Sequence, residues 1–404
     1  MNPLILPNGY ILKNGVKPIP GFKYNHPLDG HGYVNAFKIS PEGIAYKGIR
    51  QETYHYRKEF EANKILYRGL GTNANGNPFM INNFNNVAIF AHDNKVYTLG
   101  EGGIPYIIDI HTGKTIGSKQ IGSIPTFITE CLPYLPLSAH PLIYNNDVYN
   151  FSCFNYGLSV HKDDHILHTE FFPNGEAYYT HDFKKTANWY IFFLNRVNLS
   201  LLDAYFKGRT ILESIHFVPG SKVLLLNSRT FESRYIDLGE RDGSGTLHIA
   251  HAKEDDKDKS IQLYATLKEN LNLTNADTPY AFEGCNLHKF KISTDSFELV
   301  ECRKVLDVSS EMPVEKDGII YTINKHELIA YDSIQNTWKK LTFKEVTLEE
   351  PCISGDTLFL IGHQYATERT HLIVVNRTRM EIVHTHVFDF EVPYGFHGTF
   401  LLSP

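Results

Sequence analysis

From His288 the chain reads HKFKIS-TDS-FELVEC: an alternating run, a polar three-residue turn, and a second run. Side chains along a strand alternate between two faces, and a short Asp/Ser-rich turn returns the chain antiparallel, so the stretch predicts a β-hairpin. The same grammar recurs in ELIAYD-SIQN-TWKKLTF from Glu327 and in HLIVVN-RTR-MEIVHTHVF from His371. The three turns, near Ser293, Asp332 and Asn376, lie about 40 residues apart, the repeat of one four-stranded propeller blade. An ordinary large β-sandwich is the alternative that hairpins alone leave open.

Working outward, NAFKIS-PEG-IAYKGIR from Asn35 and PYIIDI-HTG-KTIG from Pro105 predict two further hairpins. HDNKVYTL, YNNDVYNF, KDGIIYTI and SGDTLFLI each place a polar turn ahead of an apolar strand. Helical patterning is confined to Tyr54 to Leu66 and Asn198 to Phe206. No Pro-, Gly- or Ser-rich linker divides the chain, which predicts one domain over residues 1–404.

With 404 residues, 42% of them hydrophobic, the chain can bury a large core, and 13% aromatic content suits a β-rich core or a long apolar pocket. The net charge of −6 and the lack of a basic stripe exclude nucleic acid as the expected partner. Five scattered cysteines form no CxxC pair, which predicts a reducing compartment. MNPLILPNGYILKNG has no basic region leading into a sustained apolar core, and no window supplies the roughly 18 apolar residues of a membrane span. A cytoplasmic protein is expected.

Four histidines have distinctive settings: His140 in SAHP, His181 in THDF, His248 in LHIAHA and His397 in GFHGTF. The chain has 20 histidines, and an arbitrary one is an ordinary core or surface residue; flanks and order single out these four. Their intervals of 41, 67 and 149 residues forbid a metal site on one local element. At about 40–60 residues per blade these are one, one and three blades. Inner strands of different blades would aim all four at a common axis, where a metal could sit.

The flanking segments resemble the carotenoid cleavage oxygenases, a family that also includes stilbene-cleaving dioxygenases and retinoid isomerases. LSAHPLI resembles the family's T-A-H-P, and THDFKKTANWYIFF its H-D-F-x-x-T-x-N-Y-x-x-F. GSKVLLLNSR is similar to G-T-x-I-x-x-x-x-R, LHIAHA stands where H-x-x-N-A does, and VPYGFHGTF ends the chain as P-x-G-F-H-G-x-F does. HPLDGHGYVNAFKI from His26 and NNVAIFAHDNKVYTLGEGGIPYIIDIHTGKTIG from Asn85 extend the likeness towards the N-terminus, so it runs from about Asn25 onward.

The resemblance implies an all-β, seven-bladed β-propeller with a small helical cap over one end. It implies His140, His181, His248 and His397 as ligands of one Fe(2+) per chain, with Glu101 and Glu311 accepting hydrogen bonds from ligand rings. A third glutamate normally stands in E-D-D-G; here Ser354 occupies its place, with Asp356 or Glu350 as substitutes. His251 and His31 also depart from the pattern, replacing an Asn and an Asp. Gly100 stands where stilbene-cleaving members carry a phenol-binding Lys, which argues against a 4-hydroxystilbene.

The implied activity is dioxygenase cleavage of a C=C bond of a carotenoid or apocarotenoid into two carbonyl products. The partners are then a lipophilic small molecule and O2. The alternatives are cleavage of a stilbene or phenylpropenoid olefin, a retinoid isomerase or ester-cleaving activity, and a non-catalytic propeller scaffold. The apolar stretch from Val197 to Phe206 is expected either as a core helix of the cap or as a peripheral membrane contact.

Overall fold

Strands that are apolar on both faces decide this architecture. In WYIFFLNRVNL (Trp189–Leu199), Tyr190, Phe192 and Leu194 pack towards one neighbouring sheet, while Ile191 and Phe193 pack towards the other. VLLL at 223–226 divides in the same way. Such strands read as continuous apolar runs because both faces are buried. Only sheets stacked on two sides satisfy them.

The computed structural model of the chain describes residues 7–74, 81–119, 137–200, 206–239, 245–269, 271 and 284–403. Their strands form seven antiparallel sheets, the blades of a propeller. Blade 1 joins the chain's two ends: Gly43–Arg50, His31–Ser40 and Gly9–Lys17 are followed by the C-terminal strand Gly395–Leu402 on the inside. Blade 2 starts at Ala88–His92, blade 3 at Leu142–Tyr144 and blade 4 at Tyr178–Tyr179. Blade 5 starts at Gly245–Asp255, blade 6 at Glu311–Lys316 and blade 7 at Thr347–Leu348. A separate apolar cluster fills each seam between neighbouring blades.

The turns follow the expected chemistry. Asp93-Asn94, Asn145-Asn146 and Asp317-Gly318 all have positive φ at both positions, the two-residue hairpin form whose twist matches that of the strands. Each of them joins an inner strand to the next one out.

The helical part is small, as expected. Among the described residues α1 (Tyr54–Ala62) is the α-helix with both ends in view, Phe206 is also helical, and Leu212–Ser214 forms a short 3-10 turn. Thr53 caps the start of α1 by accepting from Tyr56 N at 3.1 Å, and left-handed Asn63 ends it four residues short of Leu66. Glu59 holds the exit, its Oε1 accepting from Leu66 N at 2.9 Å and Tyr67 N at 3.0 Å.

The helix predicted from Asn198 to Phe206 is corrected at its start. Asn198 and Leu199 continue the strand Trp189–Leu199 and pair with His216 and Ile215. A partner strand satisfies the backbone there and overrides local periodicity. Residues 201–205 lie outside the described residues. Val197 is buried at 3% exposure and Phe206 stands 77% exposed, so the start of the proposed membrane contact is core. Among the described residues no helix is long and apolar enough to cross a membrane.

Candidate metal centre

His140 precedes the inner strand of blade 3 by two residues, and His181 lies between the short inner strands Tyr178–Tyr179 and Phe183–Lys185 of blade 4. His248 is on the inner strand of blade 5 and His397 on that of blade 1. The steps between them are thus one, one and three blades. One ring nitrogen from each of the four lies within 4.8 Å of all the others. Ring centroids stand 4.5 Å apart for His140–His181 and His140–His397, and 5.0 Å apart for His181–His248 and His248–His397.

Local sequence explains the aim of each ring. Ser138 Oγ donates to His181 O at 2.8 Å and accepts from His140 N at 3.1 Å, tying the SAH and THD segments together. Asp182 reaches across to blade 5, where its Oδ2 accepts from Ile249 N at 2.8 Å beside His248. Register shifts on both sides of Ile249 mark bulges in that strand, and bulges re-aim side chains next to functional sites.

The outer nitrogens meet carboxylates. His248 Nδ1 lies 2.8 Å from Glu311 Oε2 and His397 Nδ1 lies 2.9 Å from Glu350 Oε1. His181 Nδ1 lies 3.1 Å from both Glu101 Oε1 and the Tyr179 hydroxyl. His140 Nδ1 is 4.0 Å from Asp182 Oδ1, beyond hydrogen-bond reach. A ring that donates Nδ1–H to a carboxylate presents the lone pair of Nε2, the form a metal requires. His140 and His181 turn their Nε2 atoms towards each other at 2.9 Å.

Burial pushes Glu311 up, but the His248 charge and hydrogen bonds from His248, Thr266 and Met312 outweigh it and hold Glu311 below the usual carboxylate range. Glu350 is likewise held low against burial, by His397 and Lys13. Burial, then the neighbouring imidazoles of His181, His397 and His248, holds His140 well below the ordinary histidine value, favouring its neutral form. The donor set therefore fits a divalent metal: four convergent imidazoles, three of them held by carboxylates at Nδ1.

Of the three candidates for the third carboxylate, Glu350 is the one brought to His397. Ser354 ends the second short piece of the inner strand of blade 7, where it pairs with Thr357 at the hairpin turn, and Asp356 binds Thr378 and Asn376 on the exposed surface. Glu350→Gln is expected to lower metal retention about 10- to 100-fold, with Ser354→Ala and Asp356→Asn neutral. Residual metal after dialysis of metal-loaded protein against a chelator measures this, and equal loss in all three would refute the assignment.

The departures find partners elsewhere. His31 Nε2 lies 2.7 Å from Glu59 Oε2 beneath α1, and His251 Nδ1 lies 3.2 Å from Glu315 Oε2. Neither belongs to the four-histidine cluster. Sequence reasoning missed Glu59, Asp182 and Lys13. Asp182 had a signal, as its place beside His181 is part of the quoted motif.

An apolar cavity opens beside the histidines, lined by His181, His248, His397 and Glu101 with residues such as Phe84, Leu247 and Phe396. Gly100 also lines it, and a Cβ there would stand 2.9 Å from Asn85 N and 3.0 Å from Asn85 Cα. Position 100 therefore accepts no side chain unless the 85–86 backbone moves.

The family model described as Retinal pigment epithelial membrane protein matches residues 3–346. An apocarotenoid-15,15'-oxygenase of Synechocystis sp. is 29% identical over 233 residues, 52% of this chain and 45% of that protein. Carotenoid cleavage dioxygenase 7 of Oryza sativa subsp. japonica is 32% identical over 102 residues, 23% of this chain and 17% of that protein. Both matches span less than half of the relative's length. A crystal structure of cobalt-substituted Synechocystis ACO superposes with a TM-score of 0.83 at 22% identity, covering 98% of this chain and 93% of that one. The family match, the seven blades and the quoted motifs agree: the chain belongs to the retinal pigment epithelial membrane protein family, that of the carotenoid cleavage oxygenases.

Proposed function

We propose that this protein is a non-haem Fe(II)-dependent dioxygenase that cleaves a C=C bond of a carotenoid or apocarotenoid into two carbonyl products. His140, His181, His248 and His397 hold one Fe(2+) per chain. The observation that carries the reading is the convergence of four imidazole nitrogens within 4.8 Å beside an apolar cavity that three of the rings line. Iron bound there supplies the activation of O2, and the two oxygen atoms end in the two carbonyl groups. Zinc fits less well, since catalytic zinc sites usually take three protein ligands, whereas imidazole suits Fe(II).

The chain's own residues provide the rest. Glu101, Glu311 and Glu350 hold three rings and place negative charge one ring away from neutral ligands. Phe84, Leu247 and Phe396 exclude water and leave a polyene no polar alternative to lying along the cavity. Gly100 bears against the stilbene reading, because a phenol-binding Lys there would collide with Asn85.

Purification without oxygen, followed by iron quantitation and a panel of a carotenoid, an apocarotenal and a hydroxystilbene, tests the proposal. Near-stoichiometric iron and aldehydes from the carotenoid or apocarotenal are expected, with the hydroxystilbene unchanged. Iron-loaded protein that converts none of them would leave the scaffold reading standing instead.

A further inference from the structure

Lys13 is fully buried and touches no metal ligand, yet it meets the carboxylate and the peptide that hold His397. It lies on the strand Gly9–Lys17 of blade 1, beside Gly398 of the closing strand. Its ammonium donates to Glu350 O at 2.7 Å and to Phe396 O at 3.1 Å. The second carbonyl belongs to the peptide that leads into His397. The same Nζ stands 3.9 Å from Glu349 Oε2 and 4.0 Å from Glu350 Oε2. Glu350 in turn receives His397 Nδ1 and Gly398 N, while Glu349 Oε1 receives Gly395 N and faces His363 Nε2 at 2.7 Å.

Two adjacent buried carboxylates repel one another, and a buried cation between them is the arrangement that keeps both in place. The next residue divides the work: Asn14 Nδ2 donates to Asn85 O, Ala88 O and Leu99 O on the blade 2 side. Ring closure on the blade 2 side therefore has its own polar anchor. Closure between blades 7 and 1 also has a continuous apolar seam, including Ile11, Phe359 and Leu372. Lys13 sits at the end of that seam nearest the histidines, where its two carbonyl acceptors flank Glu350 and His397.

We propose that Lys13 is a positioning residue for the centre: its ammonium fixes Glu350 and the Phe396–His397 peptide, so that His397 Nε2 is aimed at the other three imidazoles. The inference rests on the reading of the four histidines as a metal site. It goes beyond that reading by extending the centre to a cation on the N-terminal strand.

The test titrates Co(II) into metal-free protein, following d–d absorption for affinity and ligand field, with a thermal melt of each variant. Lys13→Met keeps the length of the side chain and removes the charge. It should weaken Co(II) binding about 10-fold or more, shift the absorption band and lower Tm. Lys13→Met/Glu349→Gln removes one cation and one anion together. It should recover most of the Tm while keeping the weakened binding and the shifted band, and it carries the test if the single variant does not fold. Wild-type affinity and band in either folded variant would overturn the inference and leave Lys13 a structural counter-ion. Wild-type protein that takes up no Co(II) would overturn the metal reading itself, and this inference with it.

Discussion

His248→Ala is expected to give folded protein that retains no iron and lacks the proposed polyene cleavage. Two losses coincide. The first is a donor whose ring stands 5.0 Å from those of both His181 and His397, so three nitrogens remain on one side of an open site. The second is the partner of Glu311, a carboxylate that is 4% exposed and keeps only Thr266 Oγ1 and Met312 N. Stranding a buried charge costs about 3–5 kcal/mol. That is a large part of the roughly 5–15 kcal/mol that holds a domain folded, yet within it. The melt should therefore move well down without disappearing. His248→Ala/Glu311→Gln separates the two losses: removing the stranded charge should restore most of the melt and none of the iron. Stoichiometric iron in the double variant would remove His248 from the ligand set.

The propeller was legible because its signals are local. Asn145-Asn146 and Asp93-Asn94 adopt positive φ where the sequence placed turns, and the spacing of the later hairpins gave the blade repeat. Blade 1 was harder to read, because it pairs Tyr10 with Leu401 across almost the whole chain and no local period encodes that. The family resemblance located the four histidines, and blade spacing explained why they could meet. The third carboxylate was ambiguous for a physical reason. Ser354, Asp356 and Glu350 lie close together in sequence, yet Glu350 is the one that reaches His397, while its neighbour Glu349 faces His363. Which of them reaches the ring depends on the register of blade 7 against the closing strand, a tertiary fact. Lys13 was invisible in the same way: a lysine in an alternating strand reads as a solvent-facing residue. The helix predicted from Asn198 starts too early, because the strand Ile215–Phe217 offers the backbone of Asn198 and Leu199 a partner.

A chain stopped after Tyr394 is expected to lose cooperative folding altogether. The missing strand Gly395–Leu402 is the inner member of blade 1 and pairs with Gly9–Lys17 from Gly9↔Leu402 to Gly15↔Gly395. Phe396, 5% exposed, belongs to the blade 6–7 seam, and Phe400 stacks on Phe359 with centroids 5.2 Å apart in the blade 7–1 seam. Deleting a buried Phe costs about 3–5 kcal/mol. Removing His397, Gly398 N and the Phe396 carbonyl also strips Glu350 and Lys13 of partners, with a cost of similar size, about 3–5 kcal/mol. These two contributions alone approach the whole stability of an ordinary domain, roughly 5–15 kcal/mol, before the open strand edges are counted. Gly9–Lys17 would present unpaired N–H and C=O groups to other chains, which favours aggregation. A chain stopped after Leu402, which keeps the full ladder, should melt like the 404-residue chain. The pair therefore isolates closure from simple shortening. A sharp melt of the shorter chain within a few degrees of the longer one would mean that the interblade seams hold the ring without its closing strand, and the buried Lys13–Glu350 cluster would then need another source of compensation.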